Sequence, residues 1–479
     1  MKGAVLWRSG SQVVAQMITW VATFLVIRLL DPRDYGLAAM TQVVIVFLNL
    51  MSGYGFANAL IQAESIGRRQ VRQVFGMLLL LNFALALVQL ALAPLAAAYF
   101  RQPIVADLLR VQALLFLATP FIALPGALLS RDMDFKRQAH VNLAAAALSA
   151  LTAFVCASAG WGVWTLVVAP LVLFWVRAVG MTIAARSLIW PSFRFAGAGR
   201  MFNYGWAMAL VQFFWFVQSQ SDIFIGGRLL GAHELGLYTT ALFLTQILAA
   251  KFVPPLNDVA FAAYSRMQGE HGALAAAFLK SVRLIMLVAL PFYCGLAAAA
   301  EPLVLTFMGA KWAETVPLVT LLALAMPLLT LQILFSPATN AIGRAGIALR
   351  CAIAGAVILP VAFLIGIRFG TIGLAYGWLV GMALLTALTA ALSAPALGFR
   401  FGELVQSIAP GLLASSVMGI AVMLLDSALP AMAAPPRLAL LVGAGAALYA
   451  LLLLIFARPL VDEVRRLVRR APRESAATA

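Results

Sequence analysis

The chain nearly repeats itself at a spacing of 200 residues, and this duplication limits the folds that it can adopt. The segment Arg28-Leu29-Leu30 followed by Gly36-Leu37 recurs as Arg228-Leu229-Leu230 followed by Gly236-Leu237. The acidic residue Asp34 is matched by Glu234 at the same spacing. A duplicated bundle of helices is a common way for membrane transporters to build a substrate cavity.

The composition places both copies in a membrane. Of the 479 residues, 64% are hydrophobic and only 10% are charged, whereas soluble domains are nearer half apolar and a quarter charged. Apolar runs such as 74–100 and 438–456 are long enough to cross a bilayer core as helices, which takes roughly 20 residues. We expect an all-α polytopic membrane protein with about 14 transmembrane helices, formed by two parallel six-helix repeats and two extra C-terminal helices.

The duplication also predicts the domain organisation. Because six is an even number, both copies enter the membrane from the same side and are expected to be parallel. The predicted parts are an N-lobe with helices 1–6 at 1–187, a cytoplasmic linker at 188–200, a C-lobe with helices 7–12 at 201–395, helices 13–14 at 396–457 and a basic cytoplasmic tail at 458–479. Two crossings are expected to be irregular. Glycines follow Asn49 in the second crossing, near 36–62, and Pro254-Pro255 interrupts the eighth.

Positive charge is distributed unevenly along the chain, and this predicts the topology. The formal net charge is +16, with 33 Lys and Arg residues. With the N-terminus inside, about 23 of these fall on the inner side and about 8 on the outer side, as the positive-inside rule requires. We expect both termini in the cytoplasm and a tail that contacts anionic lipid. Nucleic acid is not an expected partner.

Polar side chains on one face of the repeat-related helices 1 and 7 predict a substrate cavity. Gln12 and Gln212 are equivalent in the repeat, and polar residues within a membrane usually face a cavity or a neighbouring helix. Hydrogen bonding between helices is therefore the competing interpretation. The candidate substrate-binding residues are Arg8, Gln12, Gln16, Gln42, Asn49, Gln212, Trp215, Gln246 and Lys251.

Charged residues within the predicted helices have more than one interpretation. Lys251 could bind a phosphate in the cavity, pair with Asp258 about two turns away, or extend its ammonium group to the membrane interface. Asp222 and Asp258 are the candidate ion-coupling residues, since intramembrane carboxylates often mark proton or cation pathways. A structural pair with the nearby Arg228 is the alternative for Asp222.

No catalytic or cofactor site is expected. His140, His233 and His271 lie in separate loops without a carboxylate cluster, and no Walker-type phosphate loop is present. The three cysteines lack metal-binding or redox spacing. The sequence predicts a transporter without a hydrolytic or transferase site, with no metal or cofactor. Its energy would come from an ion gradient, the membrane potential or the substrate gradient.

Several motifs resemble a known transporter family. They are Ser221-Asp222-Ile223-Phe224-Ile225-Gly226-Gly227-Arg228, Glu234-Leu235-Gly236-Leu237-Tyr238 and Leu29-Leu30-Asp31-Pro32-Arg33-Asp34-Tyr35-Gly36-Leu37. With its fourteen expected helices, the chain resembles the polysaccharide transporter branch of the multidrug/oligosaccharidyl-lipid/polysaccharide exporter superfamily. This branch includes the Wzx-type lipid-linked oligosaccharide flippases. The family's usual Asn after the Asp is Ile223 here, which places any role of an Asp-Asn pair in doubt.

The resemblance implies a function, a location and partners. Members flip undecaprenyl-diphosphate-linked oligosaccharide from the cytoplasmic to the periplasmic leaflet by alternating access, for O-antigen, capsule or exopolysaccharide biosynthesis. It implies the bacterial cytoplasmic (inner) membrane, a lipid-linked oligosaccharide substrate, membrane lipids, and polysaccharide polymerase and chain-length machinery as partners. In this scheme Arg8 and Lys251 contact the diphosphate, while the amides and Trp215 contact sugar.

Two other functions remain open from the sequence. A multidrug or cation antiporter of the same superfamily needs a carboxylate deep in a lobe, and Asp222, Asp258 and Asp426 are the few candidates. A membrane polysaccharide polymerase or ligase needs a large outer loop with clustered Arg or His. The predicted outer loops are short, so this alternative is weaker.

Overall fold

The computed structural model describes residues 2–52, 60, 67–187, 189–193, 199–267 and 271–456. Over these residues the chain is helical almost throughout, with short 3-10 turns and no strand. The prediction of an all-α polytopic fold is confirmed. The chain forms two compact units, Met1–Thr239 and Thr240–Ala479. The boundary between these units falls within a helix, and the lobe boundaries expected from the repeat stay predictions.

The first unit contains the first repeat and the beginning of the second. Its helices are α1 (Lys2–Leu29), α2 (Pro32–Asn49), α3 (Arg68–Phe100), α4 (Ile104–Gln112), α5 (Leu114–Ala118), α6 (Pro120–Arg131), α7 (Phe135–Ser158), α8 (Thr165–Ala184), α9 (Gly199–Leu229) and the first part of α10 (Ala232–Lys251). Helices α4, α5 and α6 follow one another with breaks only at Ala113 and Thr119. Together they form one apolar stretch that is long enough to cross a membrane.

The second unit contains the rest of α10 and the remaining helices. They are α11 (Val253–Arg266), α12 (His271–Ala298), α13 (Ala300–Phe307), α14 (Val316–Ala341), α15 (Ala345–Gly366), α16 (Gly370–Leu397), α17 (Phe401–Ala428) and α18 (Ala434–Phe456). Helices α17 and α18 are the pair that the sequence predicts beyond the two repeats.

The described helices group into fourteen segments when interrupted helices are counted once, which agrees with the predicted number. Ten described stretches are long and apolar enough to cross a membrane, and the stretch Gly346–Leu397 holds both α15 and α16. Helices α2 and α9 are not among these stretches. They are also two of the helices on which the sequence places polar candidate residues.

The eighth crossing is interrupted as predicted, whereas the glycines expected to interrupt the second, at 53 and 55, lie outside the described residues. Helix α2 begins at Pro32 rather than near residue 36, because proline suits a first helical position and the Asp34 carboxylate accepts a hydrogen bond from the Asp31 N–H at 3.2 Å. It ends at Asn49, and residues 53–59 and 61–66 lie outside the described part. In the eighth crossing, α10 ends at Lys251. The prolines then lie in the first turn of α11, where their missing N–H groups cost little.

Helix α3 packs against α2 and α6 in the first unit. Leu78 and Leu124 of α6 belong to one buried apolar cluster, and Leu85 and Leu48 of α2 belong to another. Lipid is as apolar as leucine, so such contacts stabilise a membrane protein through close van der Waals packing rather than through removal from water. The C-terminal end of α3 contacts α9 through the side chain of Arg228.

Arg228 does not pair with Asp222, which was the structural alternative from the sequence. Its guanidinium donates hydrogen bonds to the carbonyl oxygens of Ala98 and Tyr99, and its charge lies 5.4 Å from the Tyr99 ring centre. The last carbonyl groups of a helix lack partners within the helix and carry partial negative charge. Arg228 therefore caps α3 from α9.

Candidate functional site

The N-terminal ends of α2 and α10 meet through repeat-equivalent glycines. A Cβ atom added to Gly36 would overlap the carbonyl oxygen of Ala232, and one added to Gly236 would overlap the carbonyl oxygen of Pro32. Each glycine thus packs on the backbone of the other helix, four residues before the equivalent glycine. Such reciprocal contact is the property of an interface with local two-fold symmetry.

Helix α9 lies against α2 on the same side of the first unit. The Phe47 and Phe216 rings contact each other with their centres 5.3 Å apart. On α2, Gln42 and Asn49 are both exposed and seven residues apart, which places them on one face of the helix. Helix α2 therefore packs against α9 through Phe47 and carries two exposed amide side chains on another face.

Helix α9 carries a stripe that changes from exposed to buried along its length. Gln212 is exposed, Trp215 is 53% exposed, Ser219 is half-buried and Asp222 is fully buried. Amides both donate and accept hydrogen bonds, and an indole ring presents a broad apolar face beside an N–H donor. This combination suits the hydroxyl groups and C–H faces of sugars.

Helix α1 uses two of its polar side chains for hydrogen bonds within the helix. The Thr19 hydroxyl donates to the Ala15 carbonyl at 2.9 Å, and the Thr23 hydroxyl donates to the Thr19 carbonyl at 2.8 Å. These two hydroxyl protons are used within the helix itself, and Gln16 is half-buried on the same helix. Arg8 and Gln12 belong to α1, but their side chains lie outside the described part of the chain.

Asp222 is held inside the protein by a residue that the sequence does not single out as functional. Its Oδ2 atom accepts a hydrogen bond from the Tyr238 hydroxyl at 2.7 Å, and its Oδ1 atom accepts one from the Ile223 N–H at 2.8 Å. Tyr238 is also fully buried. Asp222 therefore links α9 to α10 within the first unit. Its role in ion coupling stays a prediction.

The remaining candidate residues belong to the second unit. Gln246 is half-buried on α10, Lys251 is exposed in its last turn, and Asp258 is exposed on α11. The expected alternative of a pair between Lys251 and Asp258 is wrong for these side chains, because no ion pair joins them. Phe252 lies between α10 and α11, so the two helices are not continuous and Lys251 and Asp258 do not belong to one helix.

Sequence reasoning missed the residues that hold this site together. Tyr238 was visible only as part of a motif, and nothing local to it indicates that its hydroxyl reaches Asp222. The stacking of Tyr99 on Phe224, with ring centres 4.5 Å apart, joins α3 to α9 and has no sequence signal. Within the described residues no group of His, Cys, Asp or Glu side chains could hold a metal ion.

Solved structures share this fold over nearly the whole chain. The lipid II flippase MurJ, in an inward closed conformation, matches with a TM-score of 0.75 and 14% identity over 95% of this chain and 100% of its own. A multidrug resistance transporter of the MATE family and MOP superfamily, in an inward-facing conformation, matches with a TM-score of 0.64 and 15% identity. That match covers 82% of this chain and 98% of the transporter. The chain therefore shares the fold of these two multi-pass membrane proteins.

The sequence comparisons identify the family. Residues 25–317 match the model of the polysaccharide biosynthesis protein family, and the chain belongs to this family. The succinoglycan biosynthesis transport protein ExoT of Rhizobium meliloti (strain 1021) is 26% identical, over 78% of this chain and 76% of its own. The lipopolysaccharide biosynthesis protein WzxC of Escherichia coli (strain K12) is 21% identical, and the teichuronic acid biosynthesis protein TuaB of Bacillus subtilis (strain 168) is 24% identical. Both alignments cover 86% of each chain. The resemblance found in the sequence is confirmed.

Proposed function

We propose that this chain moves undecaprenyl-diphosphate-linked oligosaccharide from the cytoplasmic to the periplasmic leaflet of a bacterial inner membrane. The observation that carries the proposal is the set of exposed amide and indole side chains on two adjacent helices, α2 and α9, in a member of the polysaccharide biosynthesis protein family. Gln42, Asn49, Gln212 and Trp215 would contact the sugars. The surface polysaccharide that the substrate serves would be O-antigen, capsule or exopolysaccharide.

The diphosphate requires cations along its path. A charged group is costly to move through hydrocarbon unless an opposite charge and hydrogen bonds compensate it. Lys251 is exposed in the last turn of α10, so its ammonium group is available to bind a phosphate. We propose that Lys251 and Arg8 each contact the diphosphate along its path and that the polyprenyl tail stays in the surrounding lipid.

Alternating access is the proposed route. The duplicated architecture suits a rocking motion that opens a site first to one side of the membrane and then to the other. The reciprocal contact at Gly36 and Gly236 supports this idea, because equivalent helix ends that touch without side chains can separate without breaking a hydrogen bond or an ion pair between side chains. We place both termini in the cytoplasm on the distribution of Lys and Arg. We also expect a polysaccharide polymerase and chain-length machinery to receive the product.

The test is leaflet transfer in proteoliposomes. Purified chain is reconstituted with a fluorescent undecaprenyl-diphosphate oligosaccharide in the inner leaflet, and arrival in the outer leaflet is measured with a membrane-impermeant quencher. We expect transfer by the native chain and its loss in the double variant Arg8→Gln/Lys251→Gln. Arg368→Gln, which changes an exposed arginine of the 3-10 turn Ile367–Phe369, is the matched control and should transfer normally. Normal transfer by the double variant would overturn the assignment of the two cations.

A further inference from the structure

The segment that follows α8 runs back along the first turns of α3. The Arg72 Nε–H donates to the Trp190 carbonyl at 2.9 Å, and the Ser192 N–H donates to the Arg72 carbonyl at 2.8 Å. A Cβ atom added to Gly76 would overlap the Ser192 carbonyl oxygen, so glycine is what permits this close approach. We call residues 190–193 the strap.

An apolar pocket of about 340 Å³ lies next to the strap, within the first unit. Phe116 and Pro120 are buried and form its floor. The Asn82 amide group lines it as well, but its two N–H bonds point to the carbonyl oxygens of Ser52 and Leu78. The pocket therefore offers a ligand an almost wholly apolar wall, and its volume is within the range of small-molecule sites.

The rim of the pocket is exposed and largely aromatic. Phe83 and Phe193 are each 55% exposed, and Trp175 is 40% exposed. Leu80 completes the rim from α3. Because these side chains surround an opening and not a closed void, the pocket is accessible from the surface of the unit.

The depth of the pocket in the membrane follows from the register of α3. Leu79 lines the pocket and lies eleven residues after Arg68, the first residue of α3, which is about 16 Å along a helix. A hydrocarbon core is about 30 Å thick, so the pocket opens where lipid chains surround the protein. A hydrocarbon chain is the ligand that such a site can take.

A positive charge lies above the pocket on the same face of α3. Arg68, Arg72, Gly76, Leu79 and Phe83 follow one another at spacings of four, four, three and four residues, which places them on one stripe. Arg68 is exposed at the beginning of this stripe. An exposed guanidinium at the membrane surface and an apolar pocket beneath it complement an anionic amphiphile with a single chain.

We propose that this pocket binds the isoprenoid chain of a polyprenyl phosphate, with the phosphate at Arg68. The choice of this lipid rests on the proposed function, which requires such a carrier. The bound lipid is a separate molecule from the substrate, whose tail stays in the surrounding lipid during transfer. Two features favour it over a diacyl phospholipid: the pocket volume of about 340 Å³ suits a single chain, and its aromatic rim offers ring faces to a branched, unsaturated chain. The strap supplies Phe193, so the segment between the repeats forms part of the site.

Photo-crosslinking tests this assignment in the full chain reconstituted in nanodiscs. Three probes carry a diazirine in the chain: a polyprenyl phosphate, the corresponding uncharged polyprenol, and a phosphatidylglycerol. We expect the two polyprenyl probes to label peptides of α3 and α8 at the pocket. Phe83→Ser and Trp175→Ser should each lower this labelling about fivefold, since one aromatic contact contributes roughly 1 kcal/mol.

The controls separate the chain from the headgroup. Leu87→Ser changes an exposed residue of α3 one turn beyond the pocket, and labelling should be unchanged. Arg68→Gln should lower labelling by the phosphate probe about threefold while labelling by polyprenol stays the same. Equal labelling of the pocket by phosphatidylglycerol, or undiminished labelling of Phe83→Ser and Trp175→Ser, would overturn the inference. Leaflet transfer is measured separately on the same samples: transfer without pocket labelling refutes only this site, and labelling without transfer refutes only the proposed function.

Discussion

Gly36 and Gly236 occupy equivalent positions in the two repeats, and each packs against the backbone of the other's helix. Small residues allow helix backbones to approach closely in membranes, where association depends on van der Waals contact rather than on exclusion of water. A side chain at either position would overlap backbone atoms of the other helix, which cannot move aside as a side chain can. The contact therefore tolerates glycine alone at both positions.

Substitution of either glycine should weaken the fold and transfer together. We expect Gly36→Ala and Gly236→Ala each to lower the free energy of unfolding by about 1–3 kcal/mol, as overpacking usually does. The double variant should lower the free energy of unfolding by less than the sum of the two single effects, because the first substitution already separates the two helices. Thermal unfolding of purified protein and leaflet transfer measure the two effects.

The control for this pair is Gly126→Ala. Gly126 lies in α6 of the same unit, and an added Cβ atom there meets nothing within 4 Å. Its stability and transfer should match those of the native chain. If Gly36→Ala unfolds at the same temperature as Gly126→Ala, the close packing described for Gly36 is not present in solution.

The hydrogen bond from Tyr238 to Asp222 should contribute to stability. Tyr238→Phe removes a donor to a buried carboxylate, and we expect a loss of about 1–2 kcal/mol. Hydrogen bonds to charged groups reach this size, while most bonds between membrane helices are weaker. Tyr376→Phe, which changes a tyrosine that is 51% exposed, should have no effect.

Asp222→Asn tests whether the same carboxylate also couples transfer to an ion. Asparagine has nearly the same size and can still accept the Tyr238 hydrogen bond, so the folded state should persist. If Asp222 carries the coupling ion, transfer by this variant should no longer respond to an imposed proton or sodium gradient. An unchanged response would leave Asp222 with a structural role only.

The exposed amide and indole side chains of α2 and α9 should matter for transfer and not for stability. Trp215 is exposed, so Trp215→Ala removes little packing, and its unfolding temperature should stay near that of the native chain. Transfer should fall about tenfold, because an indole that stacks on sugar contributes on the order of 1 kcal/mol or more. Ile183→Ala, at a residue of α8 that is 71% exposed, is the matched control. Equal transfer by the two variants would remove Trp215 from the site.

The helices, their equivalence in the repeat and one helix break could be predicted from the sequence. Apolar runs of more than 20 residues require helices in a bilayer, and the duplication at 200 residues fixes which helices are equivalent. The break after Lys251 follows from local chemistry, since Pro254 and Pro255 cannot continue α10 without loss of backbone hydrogen bonds. These features need no knowledge of tertiary contacts.

The partners of individual side chains required the structure. Arg228 was expected near Asp222 because the two are close in sequence. Its guanidinium instead binds the end of α3, which is more than a hundred residues away in the sequence. The hydroxyl group that binds Asp222 comes from Tyr238 on the next helix. Periodicity assigns a residue to a face of a helix, whereas the neighbour of that face depends on packing throughout the unit.

Arg437 should be the main electrostatic link between the two added helices. On α18, its Nε–H donates to Asp426 Oδ1 of α17 at 2.6 Å, and its Nη2–H donates to Asp426 Oδ2 at 2.8 Å. The same Nη2 group donates to Glu301 Oε2 of α13 at 3.0 Å. The Asp426 side chain is 16% exposed and that of Glu301 is 53% exposed, so water and salt screen the Glu301 contact more strongly.

Charge removal at this cluster should therefore have graded effects. We expect Arg437→Gln to lower the free energy of unfolding by about 1–3 kcal/mol, because it leaves the partly buried Asp426 without its bidentate partner. Glu301→Gln should cost less than about 1 kcal/mol, and its effect should disappear in high salt. Arg368→Gln again serves as the control at an exposed arginine. A loss for Glu301→Gln as large as that for Arg437→Gln would show that the three residues act as one network and that the bidentate pair is not dominant.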